Sequence, residues 1–372
     1  GYFKYTKVLD AMNKQLAEST RVPPLDNFAH TNNKQTMVLV IGESTNSQRM
    51  SLYGYPRKTT PQLDNMRSEL LTYTDVISPR PSTIEALQQV LTFADQQDPD
   101  TYLTKPTLMN MMRQAGYQSL WITNQQTQTK RNTLLLTFSQ QADQQVYLNN
   151  NRVQNSGQFD DDVLEPFKKA IDDTEGPTFI VVHLLGTHRK YNYRYPENFK
   201  QFNDRSGMPD WVPEEHAEEY NDYDNAILFN DHVVASLINI LKNKSSNSSL
   251  VYFSDHGEEV YDTEADLFCG RNEGKPTPAM YTIPFMAWLS PEWKREHAMP
   301  SLQNTLNRSY QTSDFIYSWA DLAGIDFKGN DQTRSIFNPN FVTRKRMIGS
   351  PYARKKMINF SSLLHKDTIA LN

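Results

Sequence analysis

At 372 residues the chain is long enough to bury a large core, and a prior of about 150 residues per domain allows two or three domains, although large α/β enzymes often keep to one. Its 38% hydrophobic and 22% charged content is ordinary for a globular protein, and a net charge of −5 argues against general affinity for nucleic acid. No run approaches the roughly 18 apolar residues of a membrane span, and the single cysteine, Cys269, excludes an internal disulfide and a CxxC zinc site.

In chain order, Gly1 is not a natural start, and the first residues lack the charged, apolar and small-residue regions of a signal peptide. The expectation is a fragment or processed form, with residues 1–35 a linker or helix ahead of one domain at 36–372. The apolar run 37–41 reads as a buried strand that leads into Gly42-Glu43-Ser44-Thr45. Helical patterns follow at 61–70 and 82–93, the second opening on Ser82 and Glu85, the spacing of a capping box. A third, 107–115, is bracketed by Pro106 and Gly116. The strand 119–122 runs into Thr123-Asn124-Gln125. The helix 160–171 opens with three acids at its positive end.

The strand 178–185 contains His183 and runs into Gly186-Thr187-His188. Residues 196–222 are polar and proline-bearing, and are expected to form a long excursion near the site. An amphipathic helix at 223–241 precedes the strand 250–253, which runs into Ser254-Asp255-His256-Gly257-Glu258. A strand at 283–289 and a helix at 312–322, closed by Gly324, complete the pattern. Residues 325–372 read as irregular and basic. Their clusters, Arg344-Lys345-Arg346 and Arg354-Lys355-Lys356, suit a solvated face as well as contact with anionic lipid. Strands alternating with helices predict an α/β fold with a largely parallel sheet sandwiched by helices, and a site at the carboxyl ends of the strands.

Four strand ends are then expected to converge, bringing Glu43, His188, Asp255 and His256 together. Carboxylates and imidazole with an open position suit catalytic zinc. Singly, Glu43 reads equally as a helix-start carboxylate, Asp255-His256-Gly257 as a plain turn and His183 as a satisfied core histidine; the four ends together favour a metal site. Thr83 falls at the first position of a helix, where free N–H groups bind phosphate. Its hydroxyl needs activation to attack at neutral pH, and a metal is one route.

Seven segments carry a resemblance. They are Val40-Ile41-Gly42-Glu43-Ser44, then Ser51-Leu52-Tyr53-Gly54-Tyr55 with Thr59-Thr60-Pro61, and Ser82-Thr83. Trp121-Ile122-Thr123-Asn124-Gln125 and His183-Leu184-Leu185-Gly186-Thr187-His188 follow, with Tyr223-Asp224-Asn225-Ala226-Ile227 and Ser254-Asp255-His256-Gly257-Glu258. Over about residues 36–290 these resemble the phosphoethanolamine transferases of Gram-negative bacteria, in the alkaline phosphatase and sulfatase superfamily. The resemblance implies a Zn2+ enzyme with Glu43, Asp255 and His256 as ligands, and Thr83 as the nucleophile that also contacts zinc. Thr45 is not at the nucleophile position. Asn124 and Gln125 match the segment that holds the phosphoethanolamine head, His188 a histidine near the transferred phosphate, and His183 the other histidine of that motif.

Two departures stand out. The colistin-resistance branch carries several disulfides, and this chain can form none; that branch also has a Leu-His-Gly segment where Phe268-Cys269-Gly270 stands here. Both favour similarity to the enteric enzymes that modify heptose phosphate in the lipopolysaccharide core. The resemblance therefore implies transfer of phosphoethanolamine from phosphatidylethanolamine to a lipopolysaccharide acceptor through a phospho-threonine, with His188 as acid and base. It also implies a place on the periplasmic face of the inner membrane, a membrane domain ahead of residues 1–35, and a link to polymyxin resistance. The rival readings are a phosphoglycerol transferase or hydrolase of the same superfamily, or a non-catalytic glycolipid-binding module.

Overall fold

A computed structural model describes residues 22–31, 34–126, 132–149, 158–244, 246–297 and 301–365. Its centre is a seven-stranded sheet. The strands are β1 (Thr36–Gly42), β2 (Leu70–Tyr73), β3 (Gln118–Thr123), β4 (Gln144–Tyr147), β5 (Thr178–His183), β6 (Ser248–Ser254) and β7 (Phe285–Leu289). Their order is β2-β7-β6-β1-β5-β3-β4. The contiguous pairs from β6 to β4 are parallel, and β7 alone runs antiparallel to both of its neighbours. The largely parallel sheet expected from the sequence is therefore present.

The alternation of a strand splits β1 between two cores. Met37, Leu39 and Ile41 face one, with Phe179, Val181, Val251 and Phe253. Val38 and Val40 face the other, with Ile180, Val182, Leu250 and Tyr252. Helices α1 (Pro61–Asn65), α2 (Thr83–Val90), α3 (Leu108–Gln114), α4 (Thr133–Gln140), α5 (Leu164–Asp172), α6 (Ala217–Lys244), α7 (Pro291–Glu296) and α8 (Phe315–Ala323) supply the covers. Leu87 of α2, Met112 of α3 and Trp319 of α8 fill the first core; Phe167 of α5 and Ile227, Val234 and Leu237 of α6 fill the second. Both faces of the sheet are thus covered, as a parallel sheet requires.

Several boundaries move. The helix expected at 61–70 stops at Asn65, because Leu70–Tyr73 pairs with β7 as an edge strand. Helix α6 starts at Ala217, six residues before the expected 223. The preceding excursion packs on that helix rather than at a strand end: the backbone N–H groups of Gln201 and Phe202 both donate to Asn225 Oδ1, at 2.9 and 2.8 Å. Among the described residues no helix is long and apolar enough to cross a membrane. Of residues 1–35, the start lies outside the described residues; Ala29–His30 pairs with Ile325–Asp326 as a short antiparallel bridge. Because β7 is reversed, β6 ends and β7 begins at one edge, with Phe285 beside Phe253. Residues 255–284 therefore leave the sheet and return to it at the same place.

Candidate active site

The site grows from that edge. After β1 the chain turns through Ser44, whose φ of 58° lies in the left-handed region that few non-glycine residues adopt. Three bonds hold the turn. Ser44 N–H donates to Asp255 Oδ1 at 3.1 Å, and its carbonyl accepts from Tyr223 OH at 2.6 Å and Thr187 Oγ1 at 2.8 Å. The turn after β5 lies directly on Glu43. Gly186 has a φ of 60°, and a Cβ there would stand 2.6 Å from both the nitrogen and the carbonyl oxygen of Glu43. Only glycine permits this approach. Buried Asp160 anchors the turn by accepting from Leu185 N at 2.9 Å and Gly186 N at 2.7 Å. His188 Nε2 is thereby brought 3.6 Å from Glu43 Oε1.

Glu43, Asp255 and His256 are buried, and one ligand atom from each lies within 4.8 Å of the others. Thr83 Oγ1 sits among them, 3.0 Å from Glu43 Oε1, 2.6 Å from Asp255 Oδ2 and 3.3 Å from His256 Nε2. His256 Nδ1 lies 2.6 Å from the Gly257 carbonyl, which only accepts, so Nδ1 carries the proton and the neutral ring presents the Nε2 lone pair. That is the tautomer a metal-binding histidine needs. Burial and the neighbouring Glu43 carboxylate push Asp255 well above the usual carboxylate range. Burial also opposes charge on Glu43, but His188 and the Gln125 amide outweigh it and hold Glu43 below its ordinary value. Two crowded carboxylates, an imidazole lone pair and a hydroxyl form a donor set that suits a divalent cation such as zinc.

Thr83 opens α2 as expected, but not through the expected cap. Ser82 holds the N-cap conformation without a side-chain capping bond, and Glu85 Oε2 is buried with no partner among the described residues. Thr45 is fully buried and bonds Thr187 Oγ1 at 3.1 Å, outside the Thr83 cluster.

The cluster opens into a cavity of about 220 Å3, whose wall includes Glu43, Thr83, Gln125, His188, Arg194 and Arg271. Gln125 lines the wall and donates through Nε2 to Glu43 Oε2 and to the Leu184 carbonyl. Asn124 does not line the cavity: it is fully buried and donates to Asp160 at 3.0 Å, so it braces the turn that carries His188. His183 is also off the wall. It packs edge-on against Trp121 with centroids 6.3 Å apart, neither ring nitrogen has a partner among the described residues, and burial pulls its pKa to about 4 against the pull of Glu43. His183 is thus neutral and in the core.

Arg271 and Arg194 reach the wall from outside the strand ends, one after a hairpin and the other from a turn after β5, so the pattern of apolar runs does not mark them. Arg271 comes from a hairpin in which Cys269–Gly270 pairs with Glu259–Val260. The thiol of Cys269 is free and half-buried, 3.4 Å from Tyr191 OH. The basic residues Arg344, Lys345 and Arg346 line a separate cavity, where Arg346 pairs with Asp75 at 2.9 Å.

The sulfatase family profile matches residues 35–325. The chain is 50% identical to phosphoethanolamine transferase EptC of Escherichia coli, over 99% of this chain and 65% of that protein. It is equally similar to phosphoethanolamine transferase CptA of Salmonella typhimurium, at 50% identity with the same coverage. The chain therefore spans about two-thirds of the length of these relatives, 65% in each case. A crystal structure of the C-terminal periplasmic domain of EptC from Escherichia coli, in complex with Zn, superimposes with a TM-score of 0.90 at 50% identity, covering 94% of this chain and all of that one.

Proposed function

The chain belongs to the sulfatase family, and from that premise we propose that it is the catalytic domain of a zinc-dependent phosphoethanolamine transferase. The observation that carries the reading is Thr83 Oγ1, bonded to all three members of a buried acid–acid–histidine set at the floor of a cavity. Similarity to EptC and CptA supports phosphoethanolamine as the transferred group, and the Zn-bound EptC domain supports the metal. The donor is phosphatidylethanolamine, and the acceptor is a phosphate on the lipopolysaccharide core. The domain works on the periplasmic face of the inner membrane, below a membrane domain that precedes residues 1–35.

Glu43, Asp255 and His256 would hold zinc, which supplies Lewis acidity that lowers the pKa of the Thr83 hydroxyl and offsets charge on the phosphoryl oxygens. Thr83 Oγ1 gives up its proton to solvent and attacks phosphorus. The bond from phosphorus to the diacylglycerol oxygen breaks, and that oxygen takes a proton from His188. In the second step His188, now the base, takes the proton of the acceptor phosphate, whose oxygen attacks phosphorus; the bond to Thr83 Oγ1 breaks, and Thr83 Oγ1 takes a proton from solvent. The N-terminus of α2, where Thr83 sits, places its positive dipole end toward the charge on the transferred group. Gln125 contacts the head from the wall, while Asn124 and His183 shape the floor from behind.

The test is intact-mass analysis after incubation with zinc and phosphatidylethanolamine. Wild-type protein should gain one phosphoethanolamine on Thr83, and Thr83→Ala should gain none while still binding zinc. An adduct on Ser82 or Thr45, or transfer by the variant near the wild-type rate, overturns the nucleophile assignment. Adduct formation from phosphatidylglycerol in preference to phosphatidylethanolamine overturns the choice of head group.

A further inference from the structure

The guanidinium of Arg271 is held from one side and open on the other. Nε donates to Glu258 Oε1 at 3.0 Å, and Glu258 is itself buried and held by Tyr191 OH at 2.8 Å. Nη1 donates to the Pro81 carbonyl at 2.8 Å and lies 3.0 Å from His256 Nε2. The two hydrogens of Nη2 have no protein partner among the described residues. The side chain is 24% exposed and forms part of the cavity wall beside Thr83.

The backbone aims this residue. Gly270 has a φ of 120°, so the hairpin strand turns sharply just before Arg271. Two residues further on, Glu273 takes both Nε and Nη2 of Arg80, at 2.6 and 3.0 Å. The segment ahead of the nucleophile is therefore stitched twice to the hairpin, once by Arg80 to Glu273 and once by Arg271 to Pro81. This fixes the guanidinium relative to Thr83 Oγ1 as firmly as two pieces of loop can be fixed.

A metal on the Nε2 lone pair of His256 removes the acceptor that Nη1 has there. It leaves one Nη1 hydrogen and both Nη2 hydrogens for an anion in the cavity. A planar fork of N–H donors matches two oxygens of a phosphoryl group. Glu258 and Tyr191 preset the fork, so little order need be imposed when the anion arrives.

We propose that Arg271 is a phosphoryl-oxygen ligand of this site: it receives two non-bridging oxygens of the transferred group, and Glu258 orients it. This rests on the transferase reading above. It gives the position occupied by Phe268-Cys269-Gly270-Arg271 a chemical purpose that the single cysteine does not supply.

The experiment compares wild type, Arg271→Lys and the double variant Glu258→Gln with Arg271→Ala, which leaves no buried carboxylate without its cation. Zinc affinity is measured first by calorimetry on each protein. Binding of inorganic phosphate and of O-phosphoethanolamine to the zinc-loaded proteins is measured next, followed by the rate of the phospho-Thr83 adduct. Zinc affinity should be the same in all three, whereas both anions should bind the variants roughly ten- to a hundredfold more weakly, the scale of a charged hydrogen bond. Variants that bind zinc normally and both anions as wild type does overturn the proposal. So does a loss of zinc affinity equal to the loss of anion affinity, which would make Arg271 only a structural pin. Wild-type protein that binds phosphate in an Arg271-dependent way but forms no adduct overturns the transferase reading and leaves the anion site standing.

Discussion

Two buried clusters of charge draw on the chain just after β1, Glu43 in one and Arg49 in the other, and they are built on opposite plans. Around Arg49, every guanidinium nitrogen has an acceptor: Nε has Asp224 at 2.8 Å, Nη1 has Asp262 at 3.1 Å and the Val260 carbonyl at 2.9 Å, and Nη2 has the Tyr220 carbonyl at 2.8 Å. Arg57 supplies a second cation to Asp224 at 2.9 Å, and the Tyr220 ring lies 3.5 Å from the Arg49 guanidinium carbon. Two arginines face two aspartates. Around Thr83, two carboxylates face each other across a hydroxyl, with a neutral histidine lone pair between them. Ion pairs perturb groups in both places, so perturbation alone does not mark a site. Crowded carboxylates that open on a cavity do.

The contrast is broken most sharply by Thr83→Ala. Transfer should fall by on the order of a thousandfold or more, as expected when a nucleophile is lost, while the urea midpoint of the zinc-loaded protein stays near wild type. Coupled kinetics and chemical denaturation read the two halves separately. A variant that loses midpoint and rate together would place Thr83 in the first kind of cluster.

Asp224→Ala is the converse. It leaves Arg49 and Arg57 without their shared carboxylate, so the domain should lose about 3–5 kcal/mol by denaturant titration. Zinc affinity below the unfolding transition should not change. A smaller loss would mean that Asp262 and the tyrosines suffice to hold the two cations.

Asp255→Asn tests the acid-rich side. Asn Oδ1 can still accept from Ser44 N–H and His256 N–H, while the repulsion with Glu43 disappears. The metal-free variant should match or exceed wild type in thermal stability, whereas its zinc affinity should fall at least about tenfold, the loss of a charged ligand oxygen. Calorimetry with zinc and scanning of the metal-free proteins decide it.

The smallest effect belongs to Asp231, which sits between the two plans. It accepts Leu63 N–H at 2.9 Å and Gln62 N–H at 3.0 Å at the start of α1, but pairs with no cation among the described residues. Burial, with some help from Asp64, pushes its pKa up to about 7. An acid with a raised folded pKa favours its protonated form in the native state. Its contribution is therefore full below the unfolded value of about 3.9 and is lost as pH rises towards 7. Wild type should therefore lose melting temperature relative to Asp231→Asn from pH 5 to pH 8. A constant difference would show that the two backbone N–H groups keep the carboxylate charged throughout.

The centre of the molecule was readable because it repeats a simple pattern. The five central strands are short apolar runs that end in polar residues, and Glu43, His188, Asp255 and His256 sit where those runs stop. The two edge strands were not readable. Leu70–Tyr73 continues an apolar pattern that begins in α1, and Gln144–Tyr147 opens on two glutamines and has little apolar surface to signal with. Among site residues, strand-end logic places Gln125 on the wall and puts Asn124 there too, although the neighbouring position points into Asp160. Period-two alternation explains the difference after the fact. Arg271 depends on a hairpin two residues wide, which leaves no periodic trace.

Residues 255–284 both leave and rejoin the sheet beside Phe253, and the reversal of β7 is what makes this so. Their endpoints are fixed by the ladder, not by their own content. Much of the stretch after Glu258 is tied to the frame, since Asp262 and the Val260 carbonyl hold Arg49 and Met280 is buried. Its exposed turn at 264–267 is the part that can change length, since doubling a loop costs only about 0.6 kcal/mol in closure entropy. The molecule thus carries Arg271 on a return path whose ends are rigid and whose outer turn is open to insertion, the place where added chain would reach over the cavity without disturbing the ligands.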